Sequence, residues 1–341
     1  MTIVASPSSP TNATAKTKPD WAGGDWLSRL VNLLIQFKPL YGLMKQQARQ
    51  VLIQTAEKKG VTWKETVETL EKENWSQRSQ ALARPGITYP DYYQVPFHAY
   101  DQGNLCWLAA FEAEPATYAM ALRVWPQESL TWQEAQDRLR SSFHQILGEY
   151  VPPIVRDCLD VGCSVGISTR YLQDYLKTRQ APSGIVPRMV GLDLSTYMLS
   201  VAQFRNGDQD ISWVHGLAEA TEFESESFDL VTLQFLLHEL PNQASRDIFQ
   251  EIYRILRPGG YLAITDNNPR SAVIQNLPPV LFTLMKSTEP WSDEYYTFDV
   301  EQALGDLGFE HCTTQPSDPR HRTIVVQKPL NLCYPASSRL G

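Results

Sequence analysis

The pattern of hydrophobic and polar positions divides the chain into two parts. Residues 25–149 carry apolar residues mostly at helical spacing, whereas from about residue 155 short apolar runs alternate with amphipathic segments. Such alternation predicts a parallel sheet with right-handed helical crossovers. We predict strands at 157–161, 189–193, 211–215, 228–235, 260–265, 309–315 and 322–327, and helices at 168–179, 197–205, 218–222 and 242–256.

The last two predicted strands and the predicted helices of the N-terminal part have further local signals. The connection between the last two strands, residues 316–321, is too short for a helix, so these strands should form an antiparallel hairpin. At the other end, residues 26–37 have an apolar face that suits either a core-packing helix or a helix lying in a membrane interface. Thr62 and Thr131 are each followed three residues later by Glu, which predicts two capping boxes.

Composition indicates a folded, water-soluble protein. Of 341 residues, 43% are hydrophobic and 20% charged, and the net charge of −8 disfavours nucleic-acid binding. Residues 1–60 hold eight Lys and Arg against three Asp and Glu, so a partner or membrane contact through 25–60 stays open. The five scattered cysteines lack metal-ligand spacing. We therefore expect no metal and a cytoplasmic location, either fully soluble or peripheral to a membrane, with the oligomeric state undetermined.

Most of the candidate functional residues lie in one glycine-containing loop. Asp160-Val161-Gly162-Cys163-Ser164-Val165-Gly166 follows the first predicted strand and precedes a helix. Backbone N–H groups at such a turn point toward whatever lies above it. The loop suits a cofactor-binding α/β domain, the nucleophile elbow of an α/β-hydrolase, or a buried turn without chemistry.

A second motif favours a cofactor. A hydrolase elbow normally follows several strands and needs a downstream acid and histidine, yet no convincing strand precedes residue 155. Asp193 ends the second predicted strand, where a carboxylate can accept both hydroxyls of a ribose. The glycine spacing is wrong for a pyrophosphate. The combination indicates a nucleoside cofactor without a pyrophosphate.

Five segments in order then resemble a known family. Residues 159–166 are similar to motif I of class I S-adenosylmethionine-dependent methyltransferases, and 191–199 to the second motif. Residues 228–231, 236–240 and 254–260 are similar to the family's fourth- and fifth-strand motifs. Residues 96–107 resemble the N-terminal extension of poorly characterised cyanobacterial and plastid methyltransferases. This chain departs from the family's motif I at Ser164, where many members carry Gly.

The resemblance implies an architecture and a set of roles. We expect an α/β, Rossmann-like seven-stranded sheet with a C-terminal antiparallel hairpin, plus a helical N-terminal region. The expected boundaries are a disordered tail at 1–20, a helical region or lid at 21–149, the methyltransferase domain at 150–330 and a tail at 331–341. The implied S-adenosylmethionine-binding residues are Asp160, Gly162, Cys163, Ser164, Gly166, Asp193, Leu194, Met198, Leu217, Ala218, Glu219, Gln234 and Phe235.

The acceptor site is expected among aromatic side chains. Residues 85–111 and the insertion 275–299 are rich in aromatics, which suits either a hydrophobic junction or the wall of a pocket for a small aromatic or lipophilic acceptor. His238 and His98 are candidate general bases for in-line methyl transfer. A protein methyltransferase and a non-catalytic cofactor-binding scaffold are the alternatives. The expected pocket residues are Tyr93, Tyr100, Trp107, Trp291 and Tyr295.

Overall fold

The computed structural model describes residues 38–98, 100–207, 210–277 and 288–330. The helix predicted over 26–37, the two predicted tails and part of the aromatic insertion lie outside the described residues. The domain boundaries proposed from the sequence therefore remain predictions.

A single seven-stranded sheet forms the centre of the protein. Its order is β3-β2-β1-β4-β5-β7-β6, with β1 to β5 parallel and β7 antiparallel to both β5 and β6. The predicted Rossmann-like fold and closing hairpin are confirmed. The strands are β1 Asp157–Val161, β2 Arg188–Asp193, β3 Ile211–His215, β4 Phe228–Gln234, β5 Leu256–Asn267, β6 Glu310–Pro316 and β7 His321–Gln327.

Helices cover both faces of this sheet. Successive strand residues point to opposite faces, so Val231 and Leu233 join one core cluster and Leu230 joins the other. The α-helices within the described residues are α1 Lys38–Lys58, α2 Trp63–Glu71, α3 Ser76–Leu82, α4 Trp107–Ala121, α5 Trp132–Tyr150, α6 Ile167–Gln180, α7 Thr196–Asn206, α8 Asn242–Ile255, α9 Ala272–Gln275, α10 Ser292–Thr297 and α11 Val300–Asp306.

Helix α5 joins the two parts of the chain. Its residues Phe143 and Leu147 pack with α6 and the sheet in one cluster. Its first half places Ala135 and Leu139 in a second cluster with α1, α2 and α4. The helical part of the chain is therefore packed directly onto the sheet through a shared helix.

Two local predictions failed and one succeeded. Residues 218–222 form turns and loop rather than a helix. The side chain of Thr62 caps no helix. At Thr131 the capping box is present, with the Glu134 N–H donating to Thr131 Oγ1 at 3.2 Å and the Thr131 N–H donating to Glu134 Oε2 at 2.8 Å.

Candidate functional site

A cavity of about 1110 Å³ opens at the carboxyl ends of β1, β2 and β4. The strand order reverses between β1 and β4, and ligands of open α/β sheets bind at such switch points. Side chains of α1, α4 and α5 complete the wall opposite the sheet. Both parts of the chain therefore contribute to one cavity.

The glycine loop folds tightly at the base of the cavity. Gly162 and Gly166 have φ of 70° and 77°, a region that glycine enters readily. A Cβ on Gly166 would lie 2.3 Å from the Trp213 ring of β3. Ser164 also has a positive φ of 49°, and its Oγ contacts Met198 Sδ at 3.6 Å. Gly162 lines the cavity, whereas Gly166 does not and lets the loop pack closely against Trp213. The partner of Ser164 is a thioether and not a catalytic base.

Asp193 lies beside this loop with half of its hydrogen-bonding capacity used. Its two carboxylate oxygens accept the N–H groups of Ser164 and Ser195, each at 2.8 Å. Burial raises the pKa of Asp193 to about 6. A carboxylate offers about four lone-pair positions, so this group keeps acceptor capacity for two ligand hydroxyls. Leu194 and Met198 line the cavity next to it.

Asp160 lies beneath the cavity and does not line it. Its carboxylate accepts the hydroxyls of Thr232 and Thr169, each at 2.7 Å, and the Gln234 amide at 3.3 Å. Burial raises the pKa of Asp160, and these donors oppose the shift. Gln234 does line the cavity, and its Oε1 is buried without a hydrogen-bond partner among the described residues. Asp160 thus orients the Gln234 amide toward the cavity.

His238 faces the cavity as part of a buried pair. Its Nδ1 lies 2.7 Å from Asp266 Oδ1 at the end of β5. Burial lowers the pKa of His238, but the charge of Asp266 outweighs burial, and the pKa rises to about 10. The same pairing lowers the pKa of Asp266 against the effect of burial. With Nδ1 held by the carboxylate, Nε2 is the ring nitrogen left for chemistry.

His98 lies close to His238 in an uncommon backbone conformation. Its φ is 47°, and its N–H donates to the Thr288 carbonyl at 2.9 Å. The His98 side chain is 41% exposed. Desolvation of its ring, followed by the nearby charge of His238, lowers the pKa of His98. Ligand-capable atoms of His98, His238 and Glu289 lie within 4.8 Å of one another. The expectation of no metal stays a prediction, which metal analysis of the purified protein tests.

The other predicted site residues divide into those at the cavity and those behind it. Cys163, Ala218, Glu219, Phe235, Tyr93, Tyr100 and Trp291 line it, whereas Leu217, Trp107 and Tyr295 do not. Trp107 packs against Trp75, with ring centroids 5.5 Å apart. Tyr295 is buried and donates to the Asn267 carbonyl. These two aromatics therefore support the wall from behind.

Comparison with known families explains this arrangement of loop, carboxylate and sheet. A model described as methyltransferase domain matches residues 159–264, which run from β1 into β5. The chain carries a class I S-adenosylmethionine-dependent methyltransferase domain. The predicted family is confirmed, and the glycine loop and Asp193 lie within the matched residues.

Curated relatives share the methyltransferase domain with this chain. A demethylmenaquinone methyltransferase of Oceanobacillus iheyensis is 33% identical over 105 residues, which are 30% of this chain and 40% of that protein. A phthiotriol/phenolphthiotriol dimycocerosates methyltransferase of Mycobacterium ulcerans is 32% identical over 117 residues, 34% of this chain and 40% of that protein. An uncharacterized methyltransferase of Synechocystis is 33% identical over 152 residues, which are 44% of this chain and 65% of that protein. The match spans less than two thirds of each relative.

Sequence reasoning missed polar residues that the helical part adds to the methyltransferase domain. Arg140 of α5 and Glu112 of α4 both line the cavity. Tyr92 donates a hydrogen bond to Glu219 across the cavity edge. For Arg140 a signal existed, because Gln136, Arg140 and His144 recur every four residues on the face that carries the apolar core positions of α5. A polar stripe on a buried helix face indicates a ligand or a polar network.

No helix within the described residues combines the length and the apolar character that a membrane-crossing segment requires. Of the segment 25–60 predicted to contact a membrane, residues 25–37 lie outside the described residues, and the contact stays a prediction.

Proposed function

We propose that this protein transfers a methyl group from S-adenosylmethionine to a small, lipophilic aromatic acceptor. The observation that carries the proposal is the continuity of the cavity. The same space contacts the glycine loop and Asp193 at one end and His238, Tyr93 and Trp291 at the other. A cofactor and an apolar acceptor fit in it side by side.

The residues at the sheet end fit the cofactor. Gly162 lines the cavity without a side chain, and Gly166 allows the loop to pack against Trp213 of β3. Asp193 has acceptor capacity for the ribose hydroxyls, and Leu194 and Met198 offer apolar contacts for the adenine. When bound, S-adenosylmethionine supplies a methyl group on a positively charged sulfur, which is an electrophile without further activation. The task left for the protein is alignment and control of the acceptor's proton.

The His238–Asp266 pair suits the removal of that proton. Asp266 orients the ring and leaves Nε2 toward the cavity. A phenolic hydroxyl has an ordinary pKa of about 10, close to the value of about 10 for His238. Matched pKa values favour proton transfer in either direction. We therefore assign His238 as the general base and His98 as a neighbour that presents a neutral ring to the acceptor.

The relatives support an apolar acceptor. Demethylmenaquinone, named for the Oceanobacillus protein, is a lipophilic quinone, and the Mycobacterium relative is named for dimycocerosates. In this chain the acceptor end adds aromatic rings from both parts of the protein. An aromatic headgroup with an ionisable hydroxyl would meet these rings and the His238 imidazole together.

Radiolabelling tests the proposed acceptor class. Purified protein is incubated with methyl-labelled S-adenosylmethionine and either the lipid extract or the protein fraction of a cell lysate. We expect label in the organic phase, and we expect His238→Asn to abolish it while binding of S-adenosylhomocysteine persists. Label in protein or in a water-soluble metabolite would contradict the proposal. Binding of S-adenosylhomocysteine without transfer to any fraction would indicate a scaffold instead.

A further inference from the structure

Two arginines at the acceptor end of the cavity have no carboxylate partner among the described residues. Arg123 lies just after α4 and Arg320 immediately before β7, and both line the cavity. The Arg123 side chain makes no hydrogen bond or ion pair within the described residues. Desolvation, followed by the charge of Arg320, lowers the pKa of Arg123. Two like charges that face one cavity favour an anion between them.

The turn before β7 holds Arg320 in a fixed position. The Arg320 N–H donates to Asp318 Oδ1 at 2.8 Å, and its carbonyl accepts the Asn268 N–H at 2.9 Å. Its Nε donates to Asn267 Oδ1 at 3.0 Å. The other oxygen of Asp318 pairs with His321 Nδ1 at 2.8 Å. Both terminal nitrogens of the Arg320 guanidinium therefore remain available to a ligand.

The ring of Phe235 connects the surroundings of the two arginines. It packs against the apolar cluster that contains the residues on either side of Arg123. Its centroid lies 5.0 Å from that of His321, the residue after Arg320. The end of α4 and the turn before β7 thus meet at one ring. Because Arg123 is exposed and Arg320 is half-buried, the pair lies at the mouth of the cavity.

Consecutive residues at the end of β5 position the proposed base and one of these arginines. Asp266 pairs with His238, and Asn267 accepts the hydrogen bond from Arg320. In the sheet, β7 lies four strand positions from β2, which ends at Asp193. An acceptor whose hydroxyl meets His238 therefore has the arginine pair beside it, on the side away from the ribose end.

We propose that Arg123 and Arg320 bind a carboxylate of the acceptor, so that the substrate is a lipophilic phenol that also carries a carboxylic acid. The proposal rests on the proposed function and deepens it by naming the substrate class. The planar guanidinium matches a carboxylate with two parallel hydrogen bonds. Glu289 also lines the cavity, and its negative charge disfavours a doubly charged phosphate.

The charge of the methylated product tests this substrate class. The full-length protein is incubated with methyl-labelled S-adenosylmethionine and a lipid extract, and the labelled product is applied to an anion-exchange resin. Methylation removes the phenolic proton, so retention at pH 8 reports a second acidic group. We expect retention at pH 8 and release at pH 3, where a carboxyl group of pKa about 4 is mostly protonated. A product that is not retained at pH 8, or that stays bound at pH 3 as a phosphate ester would, overturns the proposal.

Substitution of each arginine tests its contribution to acceptor binding. We expect Arg123→Gln and Arg320→Gln each to raise the KM for the extracted acceptor at least about 10-fold, since hydrogen bonds to a charged group are lost, and to change kcat less than about 3-fold. Arg123→Lys should keep part of the affinity, because it keeps the charge without the planar geometry. The matched control is Arg138→Gln, an exposed change at a residue that pairs with Glu128 and does not line the cavity.

Two small inhibitors separate loss of charge recognition from loss of packing. Benzoate and benzamide have nearly the same shape, and only benzoate carries a negative charge. We expect benzoate to compete with the acceptor at least about 10-fold better than benzamide in the wild type and in Arg138→Gln, and the preference to disappear in Arg123→Gln and Arg320→Gln. Equal inhibition of the wild type by both compounds would overturn the carboxylate site.

Arg123→Gln distinguishes failure of this proposal from failure of the proposed function. Because the exposed side chain has no partner among the described residues, this variant should keep the wild-type Tm and the wild-type affinity for S-adenosylhomocysteine. An unchanged KM and an unchanged benzoate preference in this variant would overturn the arginine site while methyl transfer stands. Absence of labelled lipid with the wild-type protein would instead remove the proposed function.

Discussion

At the residue scale, the site combines groups that sequence reasoning can find with groups that it cannot. Asp193 and the glycines stand next to strand ends, where the chain order itself predicts their location. Arg140 lies about 20 positions before the glycine loop, on a helix whose polar residues would ordinarily face water. Its spacing with Gln136 and His144 places it on the apolar face of α5, but its position over Phe235 depends on how that helix packs against the sheet.

The raised pKa of Asp193 makes cofactor binding dependent on pH. The ionised carboxylate accepts ribose hydroxyls best, and the folded protein holds the pKa at about 6. We expect the affinity for S-adenosylhomocysteine to be constant above pH 7 and to fall below pH 6, by up to about tenfold per pH unit. Calorimetry between pH 5 and pH 8 measures this.

A charge-neutral variant checks the origin of that pH dependence. Asp193→Asn should bind S-adenosylhomocysteine about 50-fold more weakly at pH 7.5, because two hydrogen bonds to a charged group are weakened, and its affinity should no longer vary between pH 5 and pH 7. Asp174→Asn, an exposed change on α6, should behave like the wild type. Retention of the pH profile in Asp193→Asn would assign it to another group.

The His238–Asp266 pair predicts an alkaline pH optimum for methyl transfer. His238 must be neutral to accept a proton, and Asp266 raises its pKa to about 10. We expect the single-turnover rate with a phenolic acceptor to rise with pH toward 10. In Asp266→Asn the counter-charge is lost, so the inflection should move to lower pH, toward the ordinary histidine value of about 6.5. An inflection that stays in place would show that His238 is not the titrating base.

At the element scale, periodicity predicted the sheet well and the connecting segments less well. All seven strands occur within a few residues of their predicted positions. For the buried parallel strands the reason is their long apolar runs. Strand β5 is longer than predicted, because it begins at Leu256 and not at residue 260. It therefore includes Pro258 and Gly259, which were expected only to end the preceding helix. The predicted helix at 218–222 and the Thr62 cap failed since both depended on short local patterns that tertiary contacts override.

The contact between the glycine loop and β3 predicts a specific cost. In Gly166→Ala the new methyl group would overlap Trp213 and would also require a positive φ. Gly184→Ala is the matched control, with φ of 71° and no neighbour within 4 Å. We expect the control to lose about 1 kcal/mol of unfolding free energy and Gly166→Ala to lose at least about 3 kcal/mol, as in overpacked cores. Urea denaturation measures both.

Replacing Trp213 with a smaller residue identifies the cause of the stability loss in Gly166→Ala. Adding Trp213→Leu to Gly166→Ala should return part of the difference, because the overlap is relieved while the backbone strain remains. A double-mutant cycle gives the coupling energy. Additive effects of the two substitutions would contradict the steric explanation.

At the scale of the whole molecule, a buried carboxylate ties the helical part together above the cavity. Glu112 of α4 is 1% exposed and accepts Trp63 Nε1 at 3.0 Å and the Tyr100 hydroxyl at 2.6 Å. It also forms an ion pair with Arg49 of α1. One side chain thereby connects α1, α2 and the loop before α4.

Loss of the Glu112 contacts should make the acceptor end of the cavity more mobile without weakening cofactor binding at the other end. We expect Glu112→Gln to cost about 1 to 2 kcal/mol of stability, since a buried charged acceptor is lost while its partner Arg49 stays 32% exposed. Hydrogen exchange should accelerate in α1 and α2, and the KM for a lipophilic acceptor should rise. Affinity for S-adenosylhomocysteine should change less than about threefold. Equal weakening of both ligands would show that the junction supports the whole cavity.

The double role of α5 has a practical consequence for any attempt to isolate the catalytic module. Similarity to the methyltransferase family begins at residue 159, inside β1. The apolar surface of the sheet, however, is shielded by Phe143 and Leu147, which precede that point. We expect a fragment starting near residue 150 to expose this surface and to be prone to aggregation, which light scattering of the purified fragment would measure. We expect the smallest folding unit to begin before Thr131, so that α5 and its capping box are kept. The folding unit is then longer at its N-terminal end than the segment that matches the family.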